Sequence, residues 1–131
     1  MKDFAQNVVT FNTEVIGIKD RTKELLGVDE LNFTTVALRE EIGEFEDAHL
    51  EKDYIGAIDA LIDLMYFAIG GLHKLGLTVN EMELCAQAVH ECNMTKKRGV
   101  VARRNQENDA VKPAEWVGPE QRIAAILEGG K

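Results

Sequence analysis

Several things are scarce or missing in this chain of 131 residues, and each absence removes a class of protein. There are two cysteines, Cys85 and Cys92, seven apart on what reads as one helix. That spacing is roughly 10 Å along a helix axis, too far for a disulfide, so both are expected as reduced thiols in a cytoplasmic protein. Basic residues are outnumbered, the formal net charge is -8, and Lys and Arg cluster only from Lys96 to Arg104, which argues against direct nucleic-acid binding. The longest apolar run, Ala57 to Leu72, falls short of the ~20 residues a bilayer span needs and contains two aspartates. It reads as a buried helix, with no membrane partner. No leader is expected at Met1-Lys2-Asp3-Phe4, which has no apolar core. A G-x-x-x-x-G-K-[ST] phosphate loop is missing, as are β-type alternation and internal repeats.

What is present is helical periodicity. Phe4, Val8, Phe11 and Val15 mark one face of a first helix closed by Gly17. A second is expected from Thr34 or Thr35, either one a plausible N-cap, to about Glu51. A third spans about Tyr54 to Leu75 and stops at Gly76. A fourth follows Thr78, with Glu81 completing a capping box, and runs to about Arg98, where Gly99 ends it. The stretch from Val100 to Lys131 reads as an irregular tail with a short helix from Glu120 to Leu127. Four helices with short connections imply an all-α bundle.

Two carboxylate groups interrupt the apolar faces. On the second helix Leu38, Ile42, Phe45 and Ala48 form the apolar arc; Glu41 falls inside it, Glu44 at its edge and Glu40 further round. On the third helix Asp59 and Asp63 are four apart and share a face. Buried carboxylates need a proton, a partner or a metal. A cation between the helices satisfies both groups, and an all-oxygen donor set suits Mg²⁺ or Mn²⁺ rather than zinc. The competing readings are a solvated acidic face for the glutamates and buried salt bridges for the aspartates.

On the fourth helix Met82, Cys85, Ala86 and Val89 share a face that Asn93 and Lys96 continue. Such a lysine can pair with Asp63 or hold a phosphate oxygen. His73 and His90 read as packing or surface residues. Glu46-Asp47-Ala48-His49 matches the Glu-x-x-His element of di-iron bundles, but the second copy that such a site requires is missing.

The run Glu40-Glu41-Ile42-Gly43-Glu44, followed by Asp59-Ala60-Leu61-Ile62-Asp63-Leu64-Met65-Tyr66 and Asn93-Met94-Thr95-Lys96, resembles the all-α nucleoside triphosphate pyrophosphohydrolases. The branch it looks most like is the phosphoribosyl-ATP pyrophosphohydrolase-like MazG group, often found in phages. The resemblance extends from about Arg39 to Pro119 and includes Lys112-Pro113 and Trp116 to Pro119. It departs from the Glu-x-x-Asp pattern of the third helix, where Ala60 stands three before Asp63.

This resemblance implies a four-helix bundle of the MazG-like type as a single domain over residues 1–131, with a core of about 1–99 and a tail of 100–131. It implies hydrolysis of a nucleoside triphosphate between its α- and β-phosphates, giving a monophosphate and pyrophosphate. Glu41, Glu44, Asp59 and Asp63 would hold Mg²⁺, for which Mn²⁺ can substitute. Glu40 and Glu41 would be catalytic, and Asn93 and Lys96 would bind the substrate. Phe11 is either a base-pocket residue or core. A homodimer or homotetramer is expected, in the cytoplasm, or the host cytoplasm if the protein is viral. A purine deoxynucleotide such as dGTP is the suggested substrate. The alternatives are a phosphoribosylated nucleotide and a non-catalytic helical module stabilised by metal.

Overall fold

A computed structural model describes residues 2–129; Met1 and the last two residues of the expected tail, Gly130 and Lys131, lie outside the described residues. The chain is mostly helical and divides into two compact units, Met1–Val79 and Asn80–Lys131.

In the first unit, α1 (Lys2–Phe11) continues into a π-helical turn at Asn12–Ile16. Gly17 ends it with φ +80°, a conformation that suits glycine. The wider π turn rotates the inner face, so the expected Val15 is 68% exposed and Asn12 is buried in its stead.

The second helix starts earlier than expected. α2 runs from Val28 to Leu50 with Gly27 as its cap and no side-chain capping bond, while Asp29 and Glu30 sit favourably in its first turn. Thr34 and Thr35 are not caps. Their hydroxyls donate back to the carbonyls of Glu30 (2.8 Å) and Leu31 (3.0 Å), as threonines do inside a helix. The arc also shifts, with Ile42 49% exposed while Ala37, Glu41 and Ala48 are buried.

α3 (Tyr54–Lys74) is capped by the Asp53 carboxylate, which accepts from the Gly56 amide at 2.9 Å, and it stops at Gly76, φ +95°. Only Glu51–Asp53 separate α2 from α3, so the two form an antiparallel hairpin, their main contact. Phe4 and Phe11 of α1 meet Tyr66 of α3 edge-on, at ring-centroid distances of 5.9 and 5.5 Å.

The expectation that α3 is buried does not hold within this chain. Ile55, Ile58, Leu61 and Ile62 are exposed, and α3 alone among the described helices is long and apolar enough to cross a membrane. Small residues, Ala57, Ala60, Gly70 and Gly71, form the buried stripe, because the hairpin uses only one side of the helix.

α4 spans Val79–Asn93, all but its first residue belonging to the second unit, and ends short of the expected Arg98. The Cys92 carbonyl is claimed by the Thr95 amide and hydroxyl and by the Trp116 indole, which closes the last turn. The next residues, Lys97–Gly99, pair antiparallel with Asp109–Val111, in the register Lys97↔Val111, as a two-stranded ribbon that the lack of alternation had not predicted. On α4 the buried residues are Glu81, Met82, Ala88 and Cys92, whereas the expected Ala86 and Val89 are exposed. α5 spans Glu120–Leu127 as expected, with Arg122 ion-paired to Glu91 of α4.

Candidate active site

The helix hairpin brings its acids together. Phe33 lies edge-on to Phe67 at 6.3 Å and Thr34 packs on Gly71, which fixes the register of α2 against α3. Two turns further along α2, Glu41 faces the stretch of α3 carrying Asp63, and Glu44 and Asp59 follow one turn on.

Glu41 is 9% exposed and its Oε2 is buried without a hydrogen-bond partner. Burial, a hydrogen bond with Glu44 and the charges of Glu44, Asp63 and Asp59 push its carboxyl up to about 7. Asp63, half-buried, is raised by burial and by the charges of Asp59 and Glu44. Among the described residues, no Lys or Arg forms an ion pair with any of these four acids, so buried salt bridges do not explain them. Asp59 is exposed, yet its charge lies close enough to Glu41 and Asp63 to raise both. Glu40 is exposed.

Among the described residues, no three of His, Cys, Asp and Glu converge as a finished ion site. The four carboxylates are an anionic cluster that repels itself. A hard cation nonetheless fits them: the donors are all oxygens, and the unpartnered Oε2 of Glu41 is a ligand atom with nothing else to hold.

A second feature of this unit was only half visible in the sequence. Phe11, Asn12, Phe33, Tyr66, Phe67 and Lys74 line a small cavity beside the hairpin. Lys74 sits 4.3 Å over the Phe33 ring. The buried Asn12 amide donates to the Gly70 carbonyl at 3.4 Å and to His73 Nδ1 at 3.1 Å. Burial lowers the His73 pKa, and an accepting Nδ1 puts the proton of the neutral ring on Nε2. His73 is thus a packing residue, as expected. Phe11 was singled out by the sequence, but Asn12, Phe33 and Lys74 were not, because only the π turn and the hairpin register bring them together.

Asn93 and Lys96 belong to the second unit. Asn93 is exposed at the end of α4. Lys96 is not on the helix at all; its Nζ lies 5.0 Å from the centroid of the Trp116 ring.

Fold and cluster together define a mostly helical protein with an acidic site on a helix hairpin. The family model of phosphoribosyl-ATP pyrophosphohydrolase matches residues 20–93, more than half of the chain, and the protein belongs to that family of nucleotide pyrophosphohydrolases. The match contains all of α2 and α3, hence all five acids, and ends at Asn93, so Lys96 and Trp116 lie outside it. No curated protein matches the chain.

Proposed function

We propose that this protein hydrolyses a nucleoside triphosphate between the α- and β-phosphates, with a divalent cation held by Glu41, Glu44, Asp59 and Asp63. The observation that carries this reading is the buried, unpartnered Oε2 of Glu41 inside a cluster of carboxylates. Mg²⁺, or Mn²⁺ in its place, supplies neutralisation of the phosphate charge and polarisation of the attacked phosphorus. Glu40, which is exposed, would accept the proton of the attacking water through its own carboxylate. Asn93 and Lys96 supply an amide and a cation for phosphate oxygens or the sugar.

The rings bordering the aromatic cavity, whose own free volume is about 40 Å³, offer the base a stacking surface rather than an enclosed pocket. Tyr66 and Phe67 are about one turn, roughly 5 Å, from Asp63 along α3, comparable to the reach of a nucleotide from phosphate to base. Phe11 and Tyr66 offer ring faces and the Asn12 amide a polar edge. A purine deoxynucleotide such as dGTP is our suggested substrate, and a phosphoribosylated nucleotide is the second reading, favoured by the description of the matched family.

We further propose one domain over 1–131 with residues 100–131 as its tail, working in the cytoplasm, or the host cytoplasm if viral, without binding nucleic acid or membrane. A homodimer or homotetramer is supported by the exposed apolar residues Ile58, Leu61 and Ile62 of α3. Leu61→Asp should shift the protein to a smaller species in size-exclusion chromatography; an unchanged elution volume rejects that surface as the interface.

The deciding experiment incubates the protein with nucleotides, including dGTP and a phosphoribosyl nucleotide, and resolves the products by chromatography. Pyrophosphate and a monophosphate should appear with Mg²⁺ or Mn²⁺ and vanish with EDTA. Cation-dependent melting without turnover of any nucleotide identifies a non-catalytic module instead.

A further inference from the structure

One end of the second unit gathers the charge that the rest of the chain lacks. No acidic residue occurs between Asn93 and Gln106, while Lys96, Lys97, Arg98, Arg103 and Arg104 all do, in a protein of net charge -8. Lys96, Arg103, Arg104 and Lys112 line a cavity of about 290 Å³ whose apolar wall includes Val101 and Val111. Extending the ribbon register by one pair sets Lys96 opposite Lys112, and both ammonium groups stand 5.0 Å from the centroid of the same Trp116 ring. The ring is a fixed platform, since its Nε1–H is donated to Thr95 Oγ1 at 2.8 Å and to the Cys92 carbonyl at 3.2 Å.

Like charges facing each other across a ribbon are destabilising, and a π face offsets only part of that. Arg104 is neutralised by both oxygens of Asp109, at 2.7 and 3.0 Å. Among the described residues, no carboxylate forms an ion pair with Lys96, Arg103 or Lys112. Lys96 and Lys112, each set on the Trp116 ring without an ion-paired carboxylate, and Arg103, which shares only the field of Asp109, surround one concavity as a receptor for an anion carrying several charges.

We propose that this cavity binds the pyrophosphoryl group of an inorganic pyrophosphate or a nucleoside triphosphate, through Lys96, Arg103 and Lys112, without a divalent cation. The choice of ligand class rests on the pyrophosphohydrolase reading; the convergence of charge does not. Arginine and lysine at such a site give charge-assisted hydrogen bonds to phosphate oxygens, and two or three linked phosphates engage all three cations where orthophosphate engages fewer.

Trp116 is the sole tryptophan, so its fluorescence reports on this site. The full chain is titrated in EDTA at constant ionic strength with inorganic pyrophosphate, dGTP, orthophosphate and sulfate. EDTA leaves the carboxylate cluster purely repulsive to anions, so any saturable change belongs to the basic cavity. Saturable changes with pyrophosphate and dGTP are expected, with orthophosphate and sulfate at least fivefold weaker. Lys112→Ala and Arg103→Ala, verified as folded by circular dichroism, should each weaken pyrophosphate binding at least fivefold, and Glu41→Gln should leave it unchanged.

Equal affinities for pyrophosphate and dGTP assign the site to the phosphates alone, while much tighter dGTP assigns it to the nucleotide; both support the proposal. No saturable change, an equal response to sulfate, full affinity in both cavity variants, or a response only to a single-stranded oligonucleotide overturns it. Pyrophosphate binding without turnover of any nucleotide defeats the proposed function and leaves this site standing, and turnover without binding in EDTA does the reverse.

Discussion

Replacing Glu41 by Gln should stabilise the metal-free protein at alkaline pH. The carboxyl of Glu41 titrates at about 7 in the fold against 4.5 as its ordinary value. Because the folded pKa is the higher one, the protonated form is favoured by folding, and that contribution is complete below pH 4.5 and is lost as pH rises through 7. The difference corresponds to about 3 kcal/mol at 1.36 kcal/mol per pH unit. This is a ceiling, because the exposed Glu44 and Asp59 can swing into water and be screened. Glutamine keeps the size, removes the charge, and can donate to Glu44. In EDTA the variant should therefore equal wild type near pH 4, already exceed it slightly at pH 5, and exceed it at pH 8 by up to about 3 kcal/mol, a rise in melting temperature on the order of 10 °C for a chain of this length.

The comparison is made between the two proteins at each pH, at one protein concentration, because buried His73 has a lowered pKa and contributes with the opposite sign below 6.5. Subtracting wild type cancels it. Adding Mg²⁺ at pH 8 should raise the melting temperature of wild type and scarcely move the variant. A variant no more stable than wild type at pH 8, or a difference that does not change between pH 5 and 8, would refute the idea that Glu41 is held against its own charge.

Two further outcomes follow from the same geometry. Glu41→Ala and Asp63→Ala should each abolish nucleotide turnover, by 10²-fold or more on the order of a lost metal contact, while circular dichroism shows a folded protein; activity within a few-fold of wild type in both would remove these acids from the site. Asn12→Ala should cost about 1–3 kcal/mol in urea unfolding, because it strips a donor from the buried His73 Nδ1 and from the Gly70 carbonyl, and a loss below 0.5 kcal/mol would show that water replaces both bonds.

Much of this protein was legible in residue spacing. Helical periodicity located α3 and α5 almost to the residue, and glycines at 17 and 76 marked stops that their positive φ explains. The depth of Glu41 followed from its place inside an apolar arc, since an α-helix fixes which residues share a face regardless of what the helix meets.

Three things were settled only by tertiary contacts. The π turn carries Asn12 inward and Val15 outward, and no local period signals an extra residue in a turn. The end of α4 was overestimated because the Trp116 indole, more than twenty residues downstream, takes the Cys92 carbonyl, and the strand that follows exists only through its partner at Asp109–Val111. The meeting of Glu41 with Asp63, and the placing of Lys96 and Lys112 on one Trp116 ring, likewise depend on contacts between distant segments. Local spacing dictates faces, because it is a property of the backbone's own geometry. Which faces meet is decided by burial and hydrogen bonding among distant residues, and that is where both candidate sites of this chain are made.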